Sequence, residues 1–396
     1  MSDRTVTFSG LENENLLELG AGRPRSALSD LYPSLPILRV AEVLDGRIES
    51  SVQDYAPDAY RMAMGPKVSR PGDVVLTTKG TVGRVTLMPP EGPVFAYSPQ
   101  LCYFRPTANG PLKPRYLYYW FKSTEFWNQA DALKGQTDMA DYLSLSDIQS
   151  LKIRIPPLDQ QAGVIDVLGS LDDKISMNDR LSTTSKELIR SLYAQALLRG
   201  TPEELPLFEA VDIAFGAPFA SSGFNSAGEG RPLIRIRDLK TFMPQTWTTQ
   251  RLEGKETVIA PGEVVAGMDA EFRPTYWLGE EGVMNQRVLR ARSRVGGGDA
   301  LAHEALLRPL ALVESYKTGT TVAHLNKSDL ATLSVIIPQG NEIAAFEAVS
   351  QPLHRRIVVC AQESRRLAEL RDTLLPKLMS GEVKVRDAVK VVEGVV

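Results

Sequence analysis

The sequence has few of the residues that disulfide frameworks and zinc sites need. It holds two cysteines, Cys102 and Cys360, and three histidines in 396 residues. Neither kind of site is supported, and this cysteine usage fits a reducing cytoplasm. No run of 18 apolar residues occurs, so we expect no membrane span. The first residues, MSDRT, lack the basic and then apolar layout of a signal peptide.

Catalytic motifs are also scarce. Glu18-Leu19-Gly20-Ala21-Gly22 is similar to the loop that binds S-adenosylmethionine in methyltransferases, but acidic and amide residues precede it where an apolar strand is needed. The segment Lys79–Gly83 lacks the Gly-Lys-Ser/Thr ending of a phosphate-binding loop. No Ser/His/Asp or Cys/His set stands out. We therefore predict a non-catalytic chain.

The net charge of −3 conceals a local excess of positive charge. Between Arg61 and Lys122 there are nine basic and two acidic residues, which gives this segment a net charge of +7. Local basicity of this kind favours binding to phosphates, whatever the total charge.

The second half of the chain repeats the first. Ile153–Pro157 (IRIPP) aligns with Val335–Gln339 (VIIPQ) at an offset of 182 residues. Farther upstream, Pro71–Val75 (PGDVV) aligns with Pro261–Val265 (PGEVV) at an offset of 190. Such a duplication predicts a pseudo-twofold protein that recognises something bipartite.

Two long helices follow the repeated motifs. Heptad spacing predicts the first over 159–199, with a seam of Val164, Leu168, Leu171, Ile175, Asn178, Ser182, Ser185, Leu188, Leu192 and Ala196. It predicts the second over 341–379, with a seam of Phe346, Ser350, Leu353, Ile357, Cys360, Ser364, Leu367, Leu370, Leu374 and Leu378. Packing of the two helices against each other, antiparallel, would bury both seams, although docking of each on a separate partner stays open.

The predicted fold class is α+β, with two α/β domains in tandem pseudo-repeat joined by two long antiparallel coiled-coil helices. Short β-rich runs with Gly/Pro turns characterise both domains, and Gly296–Gly298 is predicted to be a flexible surface loop. The predicted boundaries are 1–156, 157–200, 201–338, 339–385 and a peripheral tail at 386–396.

Polar and basic side chains on turns beside strands are the candidates for DNA contact. Arginine and lysine pair with guanine, asparagine and glutamine pair with adenine, and further cations contact phosphates. The candidates in the first domain are Lys79, Thr81, Arg84, Gln100, Arg105, Lys134, Gln136 and Thr137. In the second domain they are Arg235, Arg237, Asp269, Arg273, Asn285, Gln286, Arg287, Lys317, Thr318 and Thr320.

These motifs resemble those of a known family. The segments IPPLDQQAGVI (155–165), LDDKISMN (171–178) and LRDTLLPKLMSGEV (370–383) are similar to the specificity subunits of type I DNA restriction-modification systems. The first domain adds PGDVV and KGTVGRV, while Asn341-Glu342-Ile343 departs from the usual Glu-Gln pair at the start of the second helix.

The resemblance implies two target-recognition domains, each of which reads one half of a split DNA sequence. The helices would act as a spacer and would dock two methyltransferase subunits, and a restriction subunit would join the assembly. The docking is expected at Leu168, Leu171, Ile175, Leu188, Leu192, Leu353, Ile357, Leu370, Leu374 and Leu378. S-adenosylmethionine, Mg²⁺ and ATP would belong to the partners, and this chain would bind no metal and no cofactor.

Three alternatives remain at this point. The chain could serve a related defence or type II-like system, it could be a stand-alone methyltransferase, or it could be a coiled-coil adaptor with no role on DNA. If the chain is a specificity subunit, the imperfect repeat predicts two unlike half-sites.

Overall fold

The computed structural model describes residues 3–23, 33–49, 52, 54–57, 60–136, 141–317 and 324–394. The chain divides into two compact units. The first unit comprises Met1–Asp173 with Leu367–Val396, and the second comprises Lys174–Arg366. Each unit therefore takes one globular domain together with part of each long helix.

Twelve α-helices lie in the described part of the chain. They are α1 (Phe8–Asn13), α2 (Tyr60–Met64), α3 (Pro114–Phe121), α4 (Thr124–Leu133), α5 (Leu145–Ser150), α6 (Leu158–Arg199), α7 (Leu207–Ala210), α8 (Asp238–Thr241), α9 (Gly298–Lys317), α10 (Lys327–Ala331), α11 (Asn341–Ser380) and α12 (Val385–Glu393). None of them is both long enough and apolar enough to cross a membrane.

The strands are short and fall into two sets. The first unit holds β1 (Arg4–Thr7), β2 (Leu17–Ala21), β3 (Pro33–Leu38), β4 (Val43–Leu44), β5 (Arg47–Ile48), β6 (Tyr55–Pro57), β7 (Val74–Thr77), β8 (Val85–Leu87), β9 (Ala96–Tyr97), β10 (Leu101–Pro106), β11 (Gly135–Gln136), β12 (Asp141–Tyr142) and β13 (Lys152–Ile155). The second holds β14 (Glu203–Pro206), β15 (Val211–Phe215), β16 (Phe224–Asn225), β17 (Arg231–Ile234), β18 (Trp247–Thr248), β19 (Val258–Ile259), β20 (Val264–Gly267), β21 (Thr275–Tyr276), β22 (Gly282–Met284), β23 (Val288–Ser293) and β24 (Ser334–Ile337).

A four-stranded sheet forms the centre of the first unit, in the order β2-β10-β7-β8. Every residue of β7 is buried, which is why its sequence is a continuous apolar run rather than an alternating one. Helix α3 packs on β7 and β8, and Phe8, Phe104 and Phe121 form an aromatic cluster with ring centroids 4.7–5.9 Å apart. The short β-rich runs predicted for this domain are confirmed by these strands.

The second unit repeats this sheet in the order β15-β23-β20-β21. The repeat extends to the strand register. Val74 pairs with Phe104 in the first unit and its counterpart Val264 pairs with Ala291 in the second, so Ala291 is the counterpart of Phe104. Each unit also contains a parallel strand pair, β3 with β9 in the first and β17 with β22 in the second. The two α/β domains in tandem pseudo-repeat are thereby confirmed, and the ladders assign equivalent residues.

The long helices α6 and α11 pack together in antiparallel fashion, as predicted. In the first unit, Asp172 of α6 forms an ion pair with Arg371 near the end of α11, with 2.8 Å between Oδ1 and Nη1. In the second unit, the buried Asn178 donates from Nδ2 to Glu363 Oε2 over 2.8 Å. Both pairs join the earlier part of one helix to the later part of the other.

The predicted seam of α6 is wrong at one position. Leu188 is 44% exposed whereas Ile189 is fully buried, because the buried positions step by four residues after Ser185, to Ile189 and then Tyr193. The other nine leucines and isoleucines predicted to dock partners are buried or half-buried. They therefore stabilise the helices inside this chain.

Helices α9 and α12 are among those that the sequence patterns did not predict. Gly296, Gly297 and Gly298 all have positive φ angles and lead directly into α9, and the Gly297 amide donates to Glu347 over 3.0 Å. The predicted flexible loop is therefore a held turn. In the tail, α12 buries Ala388 and Val392 and is not an unstructured appendage.

Candidate nucleic-acid interface

A cleft of about 880 Å³ opens in the first unit. Four of the eight candidates predicted in this domain line it, namely Lys79, Thr81, Arg84 and Gln100. The lining comes from the β7–β8 turn, the segment between β9 and β10, and the end of β3.

The β7–β8 turn is held from inside by Thr77. Its hydroxyl donates to the Thr81 carbonyl over 2.5 Å and accepts from the Arg84 amide over 2.9 Å. Gly83 has a φ of +96° and lies so close to the Trp127 ring that a Cβ would clash. Thr78 donates to the Gln100 carbonyl over 3.0 Å. The turn therefore presents Lys79, which is exposed, beside Gln100.

Two further cations line the cleft that the sequence reasoning missed. Arg39 follows β3, where its amide donates to Glu42 over 2.9 Å and its guanidinium forms an ion pair with Asp54 at 2.6 Å. Arg23 donates from Nη1 to the Ala63 carbonyl over 2.7 Å. The sequence did hold an indication of Arg39, because Leu38-Arg39 followed by Glu42 parallels Ile234-Arg235 followed by Asp238.

The cleft combines positive charge with an apolar floor. Its described lining residues include the two arginines missed above and two predicted cations, and none of these described residues carries a carboxylate. Burial raises the pKa of Tyr97 in the floor, so its hydroxyl stays neutral and donates to Asp73 over 2.8 Å. A concave, positively charged surface of this kind suits DNA, whose phosphates are attracted by the cations while its base edges contact the other polar side chains.

Arg105 lies outside this cleft and is held within the domain. Its Nε and Nη2 donate to the two oxygens of Asp73 over 2.7 and 2.8 Å, and its Nη1 to Glu18 over 3.0 Å. The same arrangement recurs in the second unit, where Arg292 Nε donates to Glu263 over 2.7 Å. The guanidinium of Arg105 therefore supports the PGDVV segment, which leaves it poorly placed to contact DNA.

Lys134 and Gln136 are the remaining described candidates of the first domain, apart from Arg105. Lys134 forms an ion pair with Asp131 at 2.9 Å and lies 5.0 Å from the Trp127 ring centroid. Gln136 belongs to β11, and Thr137 lies outside the described residues. The cleft therefore gathers Lys79, Thr81, Arg84 and Gln100 but not Lys134.

The ladders place most candidates of the second domain at equivalent positions. Pairing of Val75 with Thr86 and of Val265 with Thr275 makes Arg273 the counterpart of Arg84. The other correspondences from the ladder registers are Arg235 to Arg39, Arg237 to Ala41, Asn285 to Ser98, Gln286 to Pro99 and Arg287 to Gln100. These candidates of the second domain thus fall at positions equivalent to residues that line the cleft of the first.

The two surfaces differ in charge at the turn after β7 and β20. Where the first domain has Lys79 and Thr81, the second has Asp269 and Glu271. Asp269 accepts from His324 Nδ1 over 2.6 Å and lies 3.6 Å from Arg287 Nε. The second surface is therefore less cationic at this turn than the first.

The ammonium of Lys317 has two partners within the second unit. Its ammonium donates to Asp329 over 2.7 Å and to the His324 carbonyl over 3.0 Å. Thr318 and Thr320 lie outside the described residues. Within the described ranges, no cluster of three or more His, Cys, Asp or Glu residues could hold a metal ion.

Comparisons with known proteins agree on one family. Residues 67–184 match the type I restriction modification DNA specificity domain. The EcoBI specificity subunit of Escherichia coli is 28% identical over 159 residues, which span 40% of this chain and 33% of that protein. The HindI specificity subunit of Haemophilus influenzae is 20% identical over 89% of this chain and 95% of the relative. The putative MjaX specificity subunit of Methanocaldococcus jannaschii is 18% identical over 89% of this chain and 88% of the relative.

The fold is shared as well. The crystal structure of a type I restriction-modification system S subunit from M. genitalium superimposes with a TM-score of 0.56 over 96% of each chain, at 14% sequence identity. The similarity at this level concerns the fold.

Proposed function

We infer that this chain, which belongs to the family of type I restriction-modification specificity subunits, is the non-catalytic DNA-recognition subunit of such a system. One observation carries the proposal. Two separate ladders present polar and cationic side chains at equivalent positions, and in the first unit four cations line one cleft. A chain that reads DNA twice needs this duplicated surface.

The proposed target is bipartite and asymmetric. The two surfaces share their scaffold but differ at the side chains that face outward, for example Gln100 against Arg287 and Lys79 against Asp269. Since base edges are read by the donors and acceptors of such side chains, two different sets predict two different half-sites.

The alternative of a stand-alone methyltransferase loses its one motif. Four residues of this motif, Glu18–Ala21, lie on β2, which pairs with β10 along its whole length, and the Glu18 carboxylate accepts from Arg105. A cofactor loop would need a turn between a strand and a helix, with backbone amides free to face a ligand. We therefore assign S-adenosylmethionine, Mg²⁺ and ATP to partner subunits.

We propose that the partners are two methyltransferase subunits, docked on the long helices, and a restriction subunit that joins the assembly. Exposed apolar residues on α6 support the methyltransferase contact. Met177, Leu181 and Leu188 are 51%, 41% and 44% exposed, and their spacing of four and seven residues places them on one face of the helix. An exposed apolar stripe of this kind is typical of a protein interface. Such an assembly would work in the cytoplasm, where the DNA is.

Methylation mapping tests the proposed function directly. The chain, expressed with its methyltransferase subunits in a host without other modification systems, should produce methylation within two unlike half-sites separated by a fixed gap. A host that expresses the methyltransferase subunits alone is the control and should show no such motif. A contiguous motif, or the same motif without this chain, would contradict the proposal.

The spacer role has its own experiment. Insertion of one heptad into both α6 and α11 preserves the seam and lengthens each helix by about 10.5 Å. At about 3.4 Å per base pair, the preferred gap should increase by about three base pairs. An unchanged gap in the methylation map would contradict the spacer role while leaving DNA recognition intact.

A further inference from the structure

Arg39 and Arg235 begin the same small turn in the two units. Each follows the strand that pairs in parallel with its neighbour, β3 with β9 and β17 with β22. The Arg39 amide donates to Glu42 over 2.9 Å, and the Arg235 amide donates to Asp238 over 2.8 Å. Both carboxylates are buried, at 8% and 1% exposed. The backbone of both arginines is therefore fixed by an internal hydrogen bond.

The two side chains have different neighbours. The Arg39 guanidinium forms an ion pair with Asp54 at 2.6 Å, whereas the Arg235 guanidinium lies 5.9 Å from the Phe224 ring centroid. The carbonyl of Asp54 accepts a hydrogen bond from a backbone amide of β3 over 2.8 Å, and the carbonyl of Thr246 accepts the equivalent bond from β17 over 2.9 Å. Thr246 therefore replaces the carboxylate of Asp54 in the second unit. Each guanidinium is oriented, the first by a charge and the second by an aromatic face.

Both arginines occupy the same position on the candidate DNA-binding surface of their unit. Arg39 lines the cleft with Lys79, Arg84 and Gln100, and the ladders place Arg235 at the equivalent position. Phosphate contacts tolerate a mobile cation such as Lys79, which is exposed. Base reading instead needs a fixed backbone and an oriented pair of donors.

We propose that Arg39 and Arg235 are matched specificity-determining residues, each of which reads a guanine in one half-site through a bidentate contact to O6 and N7. The inference rests on the proposed function and deepens it, because it assigns one defined base contact to each half. Arginine with guanine is the commonest bidentate pairing in the major groove, and a lysine cannot reproduce its two parallel donors.

In vitro selection tests the pair with no target sequence defined in advance. The full chain, alone or reconstituted with its methyltransferase subunits, selects from duplexes that carry a randomised region. Wild-type protein should enrich two half-sites with a guanine in each. R39K should lose the preference for one guanine in one half-site, and R235K should lose it only in the other. Preference at each affected position should fall about 10- to 100-fold, with total charge unchanged.

Controls separate the possible failures. Lys152→Arg on β13 and Arg308→Lys on α9 exchange an exposed cation in each unit and should enrich the wild-type sequence unchanged. If wild-type protein enriches nothing bipartite, the proposed function itself fails. If wild-type enriches two half-sites and both arginine variants keep the full preference, the function stands and this inference is overturned. Duplexes with 7-deazaguanine at the affected position provide a second measurement, because they should weaken wild-type binding but not the matching lysine variant.

Discussion

Replacement of Asp73 by asparagine should destabilise the first unit far more than neutralisation of a second carboxylate on the same guanidinium. Asp73 is fully buried and accepts from Arg105 Nε and Nη2 over 2.7 and 2.8 Å, from the Tyr97 hydroxyl over 2.8 Å and from the Arg70 amide over 2.9 Å. Glu18 contacts Arg105 Nη1 at 3.0 Å, but its side chain is 42% exposed.

The expected magnitudes follow from burial. An asparagine keeps one acceptor oxygen but turns an NH₂ group toward the donors of Arg105, which leaves a largely buried guanidinium without its main counter-charge. Removal of one partner from a buried ion pair costs about 3–5 kcal/mol, whereas an exposed pair contributes less than about 1 kcal/mol. We expect a loss of about 3 kcal/mol for Asp73→Asn, and a much smaller loss for Glu18→Gln. For a unit of this size, about 3 kcal/mol lowers Tm by roughly 6–12 °C.

Thermal unfolding of the full chain, followed by circular dichroism, measures the difference. Glu263→Gln repeats the experiment in the second unit, where Glu263 is 8% exposed and accepts from Arg292 and from the Ala260 amide over 2.7 Å each. Because the Arg292 side chain is 52% exposed, the loss should be smaller than for Asp73→Asn. Equal shifts for Asp73→Asn and Glu18→Gln would refute the argument that burial of the PG(D/E)VV carboxylate holds the sheet together.

Three further predictions concern other parts of the chain. Gln161→Glu should lower the unfolding free energy by about 2–3 kcal/mol, because the buried amide donates to two carbonyls over 2.6 and 2.8 Å and a carboxylate cannot. Ile189→Ala should cost about 2–5 kcal/mol in denaturant titration, whereas Leu188→Ala on the exposed side should cost less than about 1 kcal/mol. In the double variant Lys79→Ala, Arg84→Ala, the slope of the logarithm of the DNA-binding constant against the logarithm of salt concentration should become shallower by about 1.8. This change corresponds to the loss of two phosphate contacts.

Matched neighbours serve as controls for these changes. Gln160→Glu alters the exposed residue beside Gln161 and should leave stability within about 0.5 kcal/mol. Lys152→Ala removes an exposed cation of the first unit away from the cleft and should leave the salt slope nearly unchanged. A salt slope that falls equally in both cases would mean that the cleft has no special role in phosphate binding.

The repeated scaffold could be predicted because its sequence constraints are local. Heptad spacing in α6 and α11 and apolar runs such as Val74–Leu76 are visible within a few residues. Helix α9 escapes prediction because Ala300–Leu306 are buried without a break, so no amphipathic periodicity marks it. Its start is also hidden by three glycines. The shift from Leu188 to Ile189 depends on packing in the second unit, which the heptad pattern alone does not contain.

The roles of the arginines depend on contacts that are distant in sequence. Arg105 and its partners Asp73 and Glu18 are 32 and 87 residues apart, so the sequence alone predicts a DNA contact for a basic residue whose charge is already matched. Arg39 escapes prediction for the opposite reason, since a lone arginine after a short strand carries no motif. Only the ladder register, which equates it with Arg235, makes the two turns comparable.

The pattern of change between the two units separates scaffold from recognition. The buried acids are kept in charge and position, as Asp73 with Glu263 and Glu42 with Asp238. The outward-facing positions change freely, even in the sign of their charge, as with Lys79 and Asp269. Because the turn is anchored by residues that the changes do not touch, exchange of its exposed side chains should alter the sequence that is read at little expense in stability. A duplicated chain of this construction can therefore acquire a new half-site in one unit while the other unit continues to read the old one.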